Sequence, residues 1–365
     1  MLDTHYMSIA LQMAQGTKGQ TSPNPLVGAV VVKDGNIVGL GAHLRAGEPH
    51  AEVHALRMAG EKAQGATIYV TLEPCSHYGR TPPCAEAIIQ AGIARVVIAV
   101  TDPNPLVSGR GVAILRDAGI DVSVGVLETE AKRLNEVFFH YISTGLPFVT
   151  VKTASTLDGK VATSTGHSRW ISGEKAREEV HVLRTQHDAI LVGVNTVIAD
   201  DPALTARLEV PTRQPVRIVL DSTCRTPLTA QLLQDQKAPT WIFTTQAASA
   251  EKRAQLEEMG ARVILADGQH NQVDIQTMLR YLGEEGITSL LVEGGAAVNG
   301  AFLSAKAIQR VISYISLKMV GGQAAPTSFG GVGVERMEQA ILLKETEVER
   351  LSDTDIRITG YPDWP

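Results

Sequence analysis

Four residues in two short segments have the types and spacing to do chemistry. They are His50 and Glu52 in PHAE (49–52), and Cys75 and Cys84 in TLEPCSHYGRTPPC (71–84). One imidazole and two thiolates are ligands of the kind zinc takes. Three such ligands leave a tetrahedral ion one open position for water, the pattern of a catalytic rather than a structural centre. Two thiolates cancel the charge of a divalent ion, so the centre is only moderately Lewis-acidic and benefits from a base beside it. Glu52, two residues from the first ligand, is placed to take and redeliver protons. Two other uses of these residues stay open. A structural zinc site needs a fourth protein ligand, and His43, His54 and His77 are close in sequence. A Cys75–Cys84 disulfide is disfavoured by the odd cysteine count of 3 and by the want of an apolar leader at the start of the chain.

These residues must be positioned by the elements around them. Residues 3–15 carry apolar side chains at helical spacing behind capping types, predicting a helix. VGAVVVK (27–33), Asp34-Gly35 and NIVGLGAH (36–43) predict a hairpin with a type I′ turn. A helix is expected from about His50 to Ala59. Residues two apart lie about 200° around a helix, so His50 and Glu52 converge only if its N-terminus points into the pocket. Strand 67–72 leads to Cys75, and Pro82-Pro83 suits the start of a helix at Cys84. A helix N-terminus there favours thiolate over thiol. Strand 95–100, helix 111–119, strand 120–126 and one helix over 128–143 complete an α/β sandwich. Gly145-Leu146-Pro147 is the candidate linker.

From Phe148 the pattern restarts. Apolar, β-branched runs at 148–154, 188–194, 216–221, 240–245, 261–266 and 287–295 alternate with helical stretches, predicting a second α/β domain whose sheet is buried on both faces. No G-x-G-x-x-G follows a strand, and Gly159-Lys160 lacks the rest of a P-loop. VEGGAAVNGAFL (292–303) reads as strand, glycine turn and helix, a place where backbone N–H groups can receive a pyrophosphate. DSTCR (221–225) offers hydroxyls and an Arg after a strand, suited to a 2′-phosphate or equally to a solvated loop. Arg184 and Arg207 are candidates for a substrate phosphate, which a guanidinium can grip bidentately, or are ordinary surface arginines. Lys152 and Asp158 read as polar residues of a cleft, or as an exposed Lys and a cap. Cys224 reads as a buried bystander thiol.

H-x-E…P-C-x-x-C is the general signature of zinc base deaminases, but here the second Cys follows eight intervening residues. That spacing, with TSPNPLVGAVVVKDG (21–35) and GAHLRAGEPHAE (41–52), resembles the deaminase half of the bifunctional deaminase/reductases of riboflavin biosynthesis. VKTASTLDGKVAT (151–163), SRWISG (168–173), HVLRTQHDAILVGVNTVIADDPALTAR (181–207) and LVEGG (291–295) resemble the reductase half of the same family, in the same order. The resemblance implies a cytidine-deaminase-like α/β/α domain over 1–145 and a dihydrofolate-reductase-like α/β domain over 146–365. It implies Zn²⁺ and NADPH as cofactors. It assigns nucleotide contacts to Ala154, Trp170, Thr196, Asp200, Ser222, Gly295, Ala296, Ala297, Val298, Asn299, Gly300 and Ala301. It assigns substrate contacts to Ser168, Arg184, Leu204, Arg207 and Glu293. In the first domain Asn24 resembles the amide that holds the pyrimidine, although a turn role beside proline competes. His77 and Arg80, between the two cysteines, are placed to reach a ribose phosphate.

At 365 residues the chain is long enough for two domains, each with its own core. A net charge of −6 argues against a polynucleotide partner, whose proteins are usually basic. That weighs against the alternative of a tRNA-type base deaminase with an accessory domain. No run of about 18 apolar residues suggests a membrane span. The expectation is a cytoplasmic enzyme, self-associating, acting on a phosphorylated pyrimidine. A zinc-stabilised nucleotide-binding regulator is the non-enzymatic rival, and it requires four protein ligands.

Overall fold

The computed structural model describes residues 2–76, 82–104, 108–210 and 212–365. It divides into two compact units, Met1–Gly145 and Leu146–Pro365.

In the first unit, α1 (Leu2–Gln15) precedes a hairpin of β1 (Gly28–Lys33) and β2 (Asn36–Ala42). Asp34 and Gly35 take φ values of 49° and 75°, the left-handed pair a type I′ turn demands. Then come α2 (Ala51–Ala59), β3 (Thr67–Leu72), α3 (Cys84–Gln90), β4 (Arg95–Val100), α4 (Arg110–Asp117), β5 (Asp121–Val124), α5 (Glu128–Leu134) and α6 (Glu136–Thr144). The sheet runs β2-β1-β3-β4-β5. β1 is antiparallel to both neighbours, while β3, β4 and β5 are parallel. Parallel order sends the chain back over the sheet through α3 and α4, so the loops after β3 and β4 emerge at one edge. Val30, Val31, Ile68, Val70, Val97 and Ile98 are fully buried in the core. α1 is tied down at Asp3, which accepts from the Tyr69 hydroxyl at 2.8 Å and from both terminal nitrogens of Arg95 at 2.9 Å.

The single helix expected over 128–143 is two. Asn135 breaks it with φ −104° and ψ 21°, and its buried amide explains why. Oδ1 accepts from the Leu26 N–H at 2.8 Å and Nδ2 donates to the Leu26 carbonyl at 2.9 Å. The helix interruption is thereby exchanged for a two-bond clamp on the loop before β1.

The second unit contains β6 (Phe148–Thr156), α7 (Glu174–Gln186), β7 (Ala189–Gly193), α8 (Val194–Asp200), β8 (Val216–Leu220), α9 (Gln231–Gln234), β9 (Thr240–Thr244), α10 (Ala250–Glu258), β10 (Arg262–Leu265), α11 (Ile275–Glu284), β11 (Ser289–Gly294), α12 (Ala296–Ser304), β12 (Arg310–Ser316), β13 (Leu342–Arg350) and β14 (Asp355–Asp363). The sheet order is β10-β9-β8-β7-β11-β6-β12-β14-β13. Strands from β10 to β12 are parallel, and β14 and β13 close one side antiparallel. The apolar runs of the sequence are β6 to β11, of which β10 forms one edge of the sheet. β12 to β14 escape that reading because β12 alternates buried with half-buried residues, and the residues of β13, LLKETEVER, are all exposed. No helix among the described residues is long and apolar enough to cross a membrane.

Candidate active sites

His50 caps α2 rather than lying in it, with extended backbone at φ −72° and ψ 164°. That frees its ring from the helical spacing that would have turned it away from Glu52. Cys75 follows β3, and Cys84 is the first residue of α3, behind Pro83. The ligand atoms of His50, Cys75 and Cys84 all lie within 4.8 Å of one another, and no fourth side chain joins the group among the described residues. His50 Nδ1 is 3.2 Å from Cys84 Sγ and 3.6 Å from Cys75 Sγ. The backbone N–H of Cys84 points at Cys75 Sγ, 3.2 Å away. The cysteines are not bonded to each other. The Cys84 thiol, and then His50, hold the Cys75 thiol down to about 4, while the Cys75 sulfur and burial hold Cys84 up. A nucleophilic sulfur, a second sulfur with a displaceable proton and an imidazole are a donor set that fits zinc.

Glu52, in the first turn of α2, is buried beside them, and its Oε2 has no hydrogen-bond partner. Burial, then the Cys75 sulfur, push its carboxyl up to about 7. A carboxyl poised near neutrality, with one oxygen unclaimed, is able to give and take protons.

These groups open into a cavity of about 530 Å³, walled also by Asn24, His43, Asp102, Asn104, Phe138 and Ile142. His43, which the sequence offers only as a possible fourth ligand, sets the direction of Asn24. Its Nδ1 lies 3.2 Å from the Pro49 carbonyl, which can only accept, so Nδ1 carries the proton. Nε2 then accepts from Asn24 Nδ2 at 3.0 Å. This turns the amide oxygen of Asn24 away from His43. Nothing local in the sequence signals this pairing across nineteen positions. His43, once in view as a fourth ligand, has both nitrogens engaged, and His54 stands outside the triad. His77 and Arg80 lie outside the described residues.

In the second unit the parallel strands bring their following loops to one edge. Thr196 lies in α8 after β7, Ser222 after β8, and Gly295 caps α12 after β11. Thr196 Oγ1 donates to the Gly294 carbonyl at 3.2 Å, joining the starts of α8 and α12. Gly295 and Ala297 are exposed at that helix start, Ala296 and Ala301 are half-buried, and Val298, Asn299 and Gly300 are buried. Asn299 Nδ2 donates to the Ser328 carbonyl. Gly300 lies so close to Gly330 that a Cβ there would sit 2.2 Å from its carbonyl oxygen. Arg225 donates to Asn195 at 2.8 Å, and the Ser222 carbonyl accepts from Thr245. Ala154 is half-buried on β6, while Trp170 is exposed with Arg177 4.5 Å from its ring centre. Asp200 ends α8, Ser168 is half-buried, and Leu204 is buried at φ 51°.

Arg184 turns its fork on Glu293, with Nε 2.7 Å and Nη2 2.9 Å from the two carboxylate oxygens, and Nη1 donates to the Thr205 carbonyl at 2.9 Å. Lys152 Nζ lies 4.0 Å from the same carboxylate. Burial would raise Glu293, but Arg184 and Lys152 overcome it and bring the carboxyl down to about 2. Burial lowers Lys152. Arg207 is exposed nearby, its backbone N–H on His181. Asp158 accepts from the N–H groups of Val320 and Gly321 in the stretch after β12.

Residues 147–355 match the RibD C-terminal domain, and residues 1–100 the cytidine and deoxycytidylate deaminase zinc-binding region. The riboflavin biosynthesis protein RibD of Bacillus amyloliquefaciens is 48% identical over 361 residues, covering 99% of this chain and 96% of its own. The chain belongs to the RibD family. A structure of Acinetobacter baumannii RibD superposes with a TM-score of 0.88 at 41% identity, covering 99% of both chains. A Thermotoga maritima structure described as a diaminohydroxyphosphoribosylaminopyrimidine deaminase/5-amino-6-(5-phosphoribosylamino)uracil reductase gives 0.85 at 38%, again over 99% of both chains. The RibD fold therefore holds throughout: a cytidine-deaminase-like first unit and a dihydrofolate-reductase-like second.

Proposed function

We propose that this RibD chain is a bifunctional enzyme of riboflavin biosynthesis, with a deaminase domain over 1–145 and an NADPH-dependent reductase domain over 146–365. The first replaces the amino group of a diaminopyrimidinone carrying ribose 5-phosphate by oxygen, releasing ammonia. The second reduces the ribosyl carbon to give a ribitylamino phosphate. The observation that carries this reading is the convergence of His50, Cys75 and Cys84 beside a buried carboxylate with one oxygen unclaimed, in a chain that aligns end to end with RibD proteins.

His50, Cys75 and Cys84 would hold zinc, which supplies the Lewis acidity that makes a water acidic enough to attack at neutral pH. Glu52 takes a proton from that water and delivers it to the leaving nitrogen. Its raised affinity for protons favours the uptake of that proton. Asn24, aimed by His43, offers an amide oxygen and N–H to the pyrimidine edge. His77 and Arg80 complete the phosphate end.

In the reductase domain the work is positioning and the donation of a hydride from NADPH to the ribosyl carbon. The start of α12 at Gly295, with Ala296 and Ala297, receives the pyrophosphate, supported by Val298, Asn299, Gly300 and Ala301 behind it. Thr196, Ser222, Asp200, Ala154 and Trp170 complete the nucleotide contacts. Ser168, Leu204, Arg207 and the Arg184–Glu293 pair face the substrate. Because the Arg184 fork is spent on Glu293, Arg207 is the freer phosphate ligand. The same reading includes a cytoplasmic enzyme of more than one copy, which sedimentation of the purified chain tests. The activity is tested by supplying the ribosylaminopyrimidine phosphate and following ammonia, then NADPH oxidation. Ammonia without later NADPH oxidation, or neither, overturns the assignment.

A further inference from the structure

We infer that Glu73 is a positioning residue of the deaminase site, holding the wall that carries Asp102 and Asn104. Glu73 directly follows β3, two residues before Cys75, and its side chain is buried against the cavity. Its backbone N–H continues the β3–β4 pairing by donating to the Val100 carbonyl at 3.0 Å. Its carboxylate reaches sideways to the next parallel crossover. Oε2 accepts from the N–H of Asp102 at 3.2 Å and of Gly109 at 3.0 Å, and Oε1 from that of Val112 at 3.3 Å.

Those donors are the start of the stretch after β4 and the first turn of α4. The residue at the α4 N-cap is Gly109, which has no side chain to satisfy the orphan N–H groups there. Glu73 supplies that cap from outside the helix, its carboxyl oxygens lying at the positive end of the helix. The approach is close: a Cβ at Gly111 would lie 2.1 Å from the Pro74 carbonyl. One carboxylate thus ties Asp102, beside Asn104 in the cavity wall, to the start of α4. Asn104 is itself held through its N–H on Asp102 Oδ1 at 2.8 Å. The role is indirect, since both Glu73 oxygens are spent on backbone N–H groups.

This inference rests on the deaminase reading of the cavity. E73Q keeps the shape but turns an amide N–H toward a backbone donor, and E73D keeps the charge on a stem one methylene shorter. Expected for E73Q is a KM for the ribosylaminopyrimidine phosphate raised roughly tenfold, with kcat held within about threefold and one zinc per chain retained. Amide hydrogen exchange at Asp102, Gly109 and Val112 should speed up, and E73D should recover part of the KM. NADPH-dependent reduction by the same chain, on deaminated substrate, is the folding control and should not change. Unchanged KM despite faster exchange, or a fall in kcat with loss of zinc, would overturn the inference. Wild-type chain that releases no ammonia would instead overturn the deaminase reading.

Discussion

Glu52 has the most exposed chemistry to perturbation. Replacing it by Gln keeps volume and removes the proton carrier, so ammonia release should fall about 10³-fold. Zinc content and NADPH oxidation should persist; a variant that loses both activities would contradict two separable sites. The carboxyl stands at about 7 through burial and the Cys75 sulfur. A bound cation draws it downward, so the acid limb of the deamination profile belongs below pH 7, and E52Q should lack it. Glu293 has the opposite sign. Its carboxyl is brought from an ordinary 4.5 to about 2, so the folded state binds its proton more weakly than the unfolded one. The stability it contributes is fully present above pH 4.5 and is lost as pH falls through about 2. That amounts to roughly 3 kcal/mol across the window. Acid unfolding followed by circular dichroism should show E293Q less stable at neutral pH, by about 3–5 kcal/mol because Arg184 and Lys152 are left unpaired, with the gap to wild type narrowing toward pH 2. The grouping of His50, Cys75 and Cys84 beside Glu52 was legible in the sequence because it is written in residue type and spacing. Glu73, Asn135 and His43 were not, because each acts on a backbone or amide group distant along the chain.

Elements show the same division. Hairpin β1–β2 was readable from Asp34-Gly35, whose conformations the residues themselves dictate. The break at Asn135 was not, since helical periodicity runs through it and only the clamp on Leu26 compensates. N135A should cost about 1–3 kcal/mol in thermal or urea unfolding of the first unit, the cost of leaving buried backbone groups unpaired. It should also raise the deaminase KM, because Asn24 rides on the released loop; unaltered unfolding would dismiss the clamp. In the second unit, G300A drives a methyl into the Gly330 carbonyl. The expected result is weaker NADPH binding by fluorescence titration, with deamination intact. Edge strand β13 was invisible to a search for apolar runs, because a strand with solvent on its faces has no reason to be apolar.

At the scale of the whole molecule, the two units own separate cores. Chelating the zinc should abolish ammonia release and spare reduction of already deaminated substrate, as measured by NADPH oxidation; loss of both would show one shared centre. The net charge of −6 gives no attraction to a polyanion, and deamination of tRNA or single-stranded DNA should be undetectable. The division at Gly145 also has an arithmetical result. Every ribosome that finishes this message delivers one hydrolase and one reductase, so no swing in expression can leave the first running without its successor, and the ratio between them needs no regulator.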